Sequence, residues 1–151
     1  MIQLGSILGR QICPIRPFLV ARLSSKSRAM ASPLDQVADV DIDSGTFKYV
    51  LIKVHHSPEG GPEVSKFITR GYRSAGFHSD VYDQVTPNIE KMGLDCECVG
   101  GGRIHHDVDK KIIEVYGYSQ GFGRADHRIT VDLLKAKYSG YDKISYSNDG
   151  Y

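Results

Sequence analysis

The chain has 151 residues, 40% hydrophobic and 25% charged, with a formal net charge of +1. That is the size and composition of one globular domain, and no apolar run approaches the ~18–20 residues that a membrane-spanning helix needs. Charge is unevenly spread: residues 1–34 hold Arg10, Arg16, Arg22, Lys26 and Arg28 and no acid, leaving 14 basic against 18 acidic residues in 35–151. A slightly acidic body argues against nucleic-acid binding, which wants a basic face.

Arginines scattered through serine and apolar residues, without acids, match a mitochondrial transit segment. The competing reading is a disordered or untranslated extension, with Met30 as the working start. Either way a leader over 1–34 is expected to precede a single domain over 35–151. Cys13 lies in the leader, and the two remaining cysteines, Cys96 and Cys98, make no disulfide framework. A reducing, cytoplasmic setting is therefore expected, with the mitochondrion the alternative for a form that carries a transit leader. Nothing in the pattern demands a partner subunit, so a monomer is expected.

In chain order, DVDID (39–43) reads as a solvated acidic lead-in: a calcium loop from Asp39 would need Gly and Glu where Ser44 and Val50 stand. Thr46–Val54 is dense in β-branched and aromatic residues and predicts a central strand. Residues 55–63 are rich in Pro and Gly and predict a loop, and 65–72 a second strand. After His78, with Ser79 or Asp80 as cap, Val81, Tyr82, Val85, Ile89 and Met92 fall on one helical face. Pro87 implies either a kink or a second short helix capped by Thr86, and Gly93 a stop. Strands over 95–104 and 110–119 follow, joined by a turn HHDVD, with Gly100–Gly102 marking a bulge or a close backbone approach. A loop over 119–127, a helix capped by Thr130 and a last strand over 142–147 complete an α+β fold: one domain, a mixed sheet of five or six strands and two helices.

Several strings imitate active-site motifs and fail on context. GYSQG (117–121) matches G-x-S-x-G, but only 32 residues follow Ser119, too few for the doubly wound sheet that motif needs. HHDVD and the Cys96–Cys98 pair lack the second ligand pair of a zinc site, so no metal is expected. His105, His106 and His127 read as non-catalytic. Two strings remain. RGYRSAGFHSDVYD sets His78 at a loop–helix junction, where backbone N–H groups and the helix dipole attract anions and disfavour imidazolium. CECVGGGRIHH sets Arg103 after three glycines that would let a ligand approach the backbone. From spacing alone His78 is either a packed cap or a base.

Taken in order, DVDIDSGTFKYVLIKVH, SKFITRGY, HSDVYD, DCECVGGGRI, KKIIEVYGYS, KAKY and the C-terminal NDGY resemble the phosphohistidine phosphatase family that includes the Janus and Ocnus proteins of flies. The resemblance spans 37–151. It implies a phosphatase that needs no metal or other cofactor and acts on phosphohistidine in proteins, with phospholysine as a second substrate. The family's proton-accepting histidine falls on His78 and its phosphate-meeting lysine on Lys48. Its phosphate-contacting tripeptide falls on Ser119, Gln120 and Gly121, and its arginines on Arg70 and Arg103. Two routes stay open: His78 deprotonates a water, or accepts the phosphoryl group itself. The alternative function is a regulatory module that binds phosphoproteins without turnover.

Overall fold

The apolar run that follows Gly45 becomes the longest-buried strand of a six-stranded mixed sheet. The computed structural model describes residues 32–150. A single 3-10 turn (Pro33–Gln36) leads into β1 (Val40–Ile42), β2 (Gly45–His56), β3 (Val64–Tyr72), α1 (His78–Glu90), β4 (Asp95–Asp107), β5 (Ile112–Tyr116), α2 (His127–Lys137) and β6 (Lys143–Tyr146). The strand order is β1-β3-β2-β4-β5-β6, parallel at the outer pairs β1–β3 and β5–β6 and antiparallel between. The leader lies almost wholly outside the described residues, and among these no helix is long and apolar enough to cross a membrane.

Strand alternation divides β2 between two cores. Val50, Ile52 and Val54 pack with Val81, Val85 and Ile89 of α1 on one face. Phe47, Tyr49 and Leu51 pack with Val131 and Leu134 of α2 on the other. One helix therefore covers each face, and a strand buried on both sides reads as the unbroken apolar run it is. Leu134 is fully buried. Its replacement by alanine is expected to lower stability by about 2–5 kcal/mol, measured as a shift in the denaturant midpoint at constant slope.

Several local expectations are corrected. The acids of DVDID are exposed as expected, but the segment is more than a lead-in: Val40, 2% exposed, anchors the edge strand β1 alongside Thr69 of β3. β2 runs on through His55 and His56, with the His55 ring between Glu63 and Glu97 at 3.1 Å from each. Of the two alternatives at Pro87, the second short helix is the one that fails: α1 is one helix with Pro87 in its interior, and the Thr86 hydroxyl donates to Tyr82 O at 2.8 Å instead of capping. His105 and His106 belong to β4, and the turn comes later, where Lys111 takes φ 54°. Asp126, not Thr130, caps α2: its carboxylate accepts from Arg128 N at 3.1 Å, and Thr130 is buried inside the helix. A carboxylate is the better cap because it accepts without needing a donor turned away.

Candidate active site

His78 is the first residue of α1, and the residue is only 8% exposed. Asp80 reaches back to accept from the Phe77 N–H at 2.8 Å, closing the start of the helix. The imidazole meets the main chain of β4, with Nε2 2.9 Å from the Gly102 carbonyl oxygen. A carbonyl only accepts, so Nε2 carries the proton and Nδ1 keeps its lone pair. Burial, foremost, together with the nearby Lys48 and Arg103 charges, holds the imidazole below its ordinary pKa, against the opposing pull of the Gly102 bond. His78 is thus a neutral base with a fixed tautomer near pH 7.

The close fit of this ring comes from glycine. A Cβ on Gly101 would stand 2.8 Å from His78 Cδ2 and 3.1 Å from Ser119 Cβ. Gly100, at φ +150°, lets the Ala125 backbone come equally close, and β4 there carries a bulge opposite Leu51 and Ile52. The glycines were expected to admit a ligand. Instead they admit the protein's own His78, Ser119 and Ala125, and so stitch α1 and the 119–125 segment onto β4.

That segment is a tight loop. Gly101 N donates to Gly123 O at 3.0 Å and Ala125 N to Gly101 O at 3.1 Å. Ser119 and Gly123 exchange backbone bonds, and the Ser119 hydroxyl accepts from Phe122 N at 3.2 Å. The Gln120 and Gly121 amides at its tip make no hydrogen bond among the described residues. A cleft of about 450 Å³ opens between this loop and the Gly76–Ser79 start of α1, with Lys48 of β2 on its wall. Free amides, a helix N-terminus and an ammonium group converge there, the standard physical recipe for holding an anion.

Of the residues singled out from sequence, His78, Lys48, Ser119, Gln120 and Gly121 come together in this cleft. Arg103 pairs with Lys48 across β2 and β4, so its side chain shares the α1 face and its charge acts on His78, but it does not line the cleft. Arg70 is not brought to the site. Its guanidinium is buried, donating to Thr69 O at 2.9 Å and Ala38 O at 2.7 Å, and it lines a separate groove beside the C-terminal half of α1. Sequence reasoning had missed the lining residues Gly76, Phe77, Ser79 and Phe122. Their proximity to His78 and Ser119 in the chain was the available signal.

The other histidines are accounted for elsewhere. His127 is 1% exposed behind Gly102, with Nδ1 2.5 Å from the Tyr49 hydroxyl and Nε2–H donating to Gly117 O at 2.9 Å. Thr130 completes that buried network by donating to the Tyr49 hydroxyl at 3.2 Å. His105 bonds Thr46, and His106 donates through Nδ1 to Asp43 O and contacts the Tyr141 hydroxyl. Burial pushes the Cys98 thiol up to about 11, so it stays protonated at neutral pH. Among the described residues no three His, Cys, Asp or Glu side chains cluster as a metal set.

A neutral base facing an anion cradle defines a site that handles phosphoryl-like groups. The chain belongs to the Janus/Ocnus family (Ocnus), whose family model matches residues 34–142. It is 53% identical over 126 residues to a 14 kDa phosphohistidine phosphatase of Sus scrofa, covering 82% of this chain and 99% of that one. A protein of the same name from Homo sapiens is 52% identical over 118 residues, 76% of this chain and 94% of the relative. The sex-regulated protein janus-A of Drosophila pseudoobscura pseudoobscura is 44% identical over 120 residues, 78% of this chain and 80% of the relative.

Proposed function

We infer that this chain is a protein histidine phosphatase, hydrolysing the P–N bond of phosphohistidine in proteins, with His78 as proton acceptor. The observation that carries the reading is the Nε2–H bond of His78 to Gly102 O, which leaves Nδ1 as a base at a cleft lined by Lys48 and the 119–121 loop. The Gln120 and Gly121 amides, the Ser119 hydroxyl and the Lys48 ammonium hold the phosphoryl oxygens. Nδ1 takes a proton from a water as its oxygen bonds to phosphorus, and the P–N bond breaks with its electron pair going to the substrate imidazole, which takes up that proton from Nδ1 and leaves as the neutral ring. A phosphoramidate bond is labile, so positioning and charge neutralisation supply most of what the reaction needs. A domain boundary at residue 35 and a cytoplasmic setting belong to the same reading, with the mitochondrion the alternative for a form whose residues 1–34 act as a transit leader.

The test is phosphate release from a phosphohistidine peptide by the parent and by Lys48→Met. The parent turns over. The variant is expected to lose about 10–100-fold in kcat/KM, since one charge-assisted contact to phosphate is gone. Its acid limb also moves to higher pH, because the Lys48 cation is one of the causes that hold His78 below its ordinary value. A folded parent that binds the peptide without releasing phosphate would sink the reading in favour of a binding module.

A further inference from the structure

A phenylalanine occupies the N-cap of α1, the position where Ser, Thr, Asp or Asn would supply a capping oxygen. Phe77 supplies none, and the helix start is closed instead by Asp80. Nor does Phe77 contribute to a core: it is 71% exposed, more than any other large hydrophobic residue among those described. Its ring stacks on no other aromatic ring among the described residues, whereas Phe122, on the same cleft, is fixed edge-on to Tyr82 with centroids 5.8 Å apart. An aromatic ring with neither a capping nor a packing role, set on the wall of a reaction cleft, is placed for something outside the chain.

Depth in the cleft says what that is. Ser119 and His78 are 3% and 8% exposed, so the phosphoryl-holding and base groups lie at the bottom, and Phe77 stands at the mouth. A protein-borne phosphoryl group inserted to that depth has its leaving group passing the mouth. The leaving group of phosphohistidine is a flat aromatic ring. Aromatic pairs gain energy from offset or edge geometry beyond the area they bury. A ringless phosphoramidate gains nothing there.

We propose that Phe77 is the specificity residue of this cleft: its exposed ring stacks on the substrate imidazole and selects a phosphoryl group borne on an aromatic nitrogen. The inference rests on the phosphatase reading above.

Two readouts test it. The first is the ratio of kcat/KM for a phosphohistidine peptide to that for the phosphoramidate ion, which has the same P–N bond and no ring. That ratio is expected to fall roughly tenfold in Phe77→Leu, the size of one aromatic pairing, and to recover in Phe77→Tyr. The second is NMR of the parent with a phosphonotriazole analogue of phosphohistidine, which cannot turn over. Its triazole proton shifts upfield in the parent complex through the Phe77 ring current, and less so with Phe77→Leu. An unchanged ratio in Phe77→Leu, or an analogue bound by the parent without an upfield shift, overturns the inference while leaving the phosphatase intact. A folded parent that neither releases phosphate from either substrate nor binds the analogue overturns the phosphatase reading, and this one with it.

Discussion

His78→Ala is expected to abolish phosphate release from a phosphohistidine peptide to within a factor of a few of background, a loss of about 10³-fold or more. General base catalysis contributes ~10²–10⁴ by itself, and the alanine also vacates a wall of the phosphate cleft. The informative companion is His78→Gln. A glutamine amide can still donate to the Gly102 carbonyl that now accepts from Nε2–H at 2.9 Å, but it offers no titratable nitrogen. If Gln retains the melting temperature of the parent and loses activity as Ala does, the proton-accepting role is separated from the structural one. If Gln keeps activity within tenfold of the parent, His78 is a packing residue and the catalytic assignment is wrong. The pH profile supplies a further check. Because burial and two neighbouring cations depress the imidazole pKa, the neutral, active form persists below the ordinary value of about 6.5. The acid limb of kcat/KM should therefore break below that value. Radiolabel trapped on the chain at position 78 after a fast quench would reassign the residue from base to nucleophile.

The division between what was readable in the sequence and what was not follows from range. β2 was legible because its two faces are both buried, so Val50 through Val54 announce themselves without reference to anything else. β1 was not, because three residues of which only Val40 is fully buried leave no period to detect; their strand character comes from pairing with β3, nearly thirty positions away. The start of α2 was misread at Thr130 for a similar reason. That hydroxyl looks like a cap locally, and only the fold reveals that it is used by Tyr49 on the central strand. At the site, resemblance marked His78, the 119–121 loop, Arg70 and Arg103 alike, and only the fold separates them, bringing the first two to one cleft and leaving both arginines off it. Their difference lies in register: Arg103 sits across from Lys48, and Arg70 across from Val50 beneath the helix. The glycine run showed that something comes close to β4, but sequence could not say that it is the His78 ring.

That last point carries the second large expectation, Gly101→Ala. The added Cβ would stand 2.8 Å from His78 Cδ2, 2.8 Å from Tyr49 O and 3.1 Å from Ser119 Cβ. Contacts below 3 Å oblige something to move. Tyr49 O is main chain of the fully buried central strand, held on both sides by β3 and β4, so it yields least. The His78 ring and the Ser119 loop are left to give way, and these are the base and the phosphate cradle of the proposed reaction. Over-packing of this kind costs about 1–3 kcal/mol of stability, and a misplacement near 1 Å costs ~10²-fold in rate. The variant is thus expected to fold with a lowered denaturant midpoint and to lose about a hundredfold in kcat/KM. Its loss should exceed what the stability change alone explains, since the protein remains folded under assay. Gly140→Ala is the control: no atom lies within 4 Å of its Cβ and its backbone carries no positive φ, so stability should stay within about 0.5 kcal/mol of the parent. Parent-like kcat/KM in Gly101→Ala would mean that the His78 ring has slack it can use without penalty. The fixed Nε2–H tautomer could then no longer be what prepares Nδ1 for the proton, because a ring displaced by the methyl group would have surrendered the Gly102 bond and still worked.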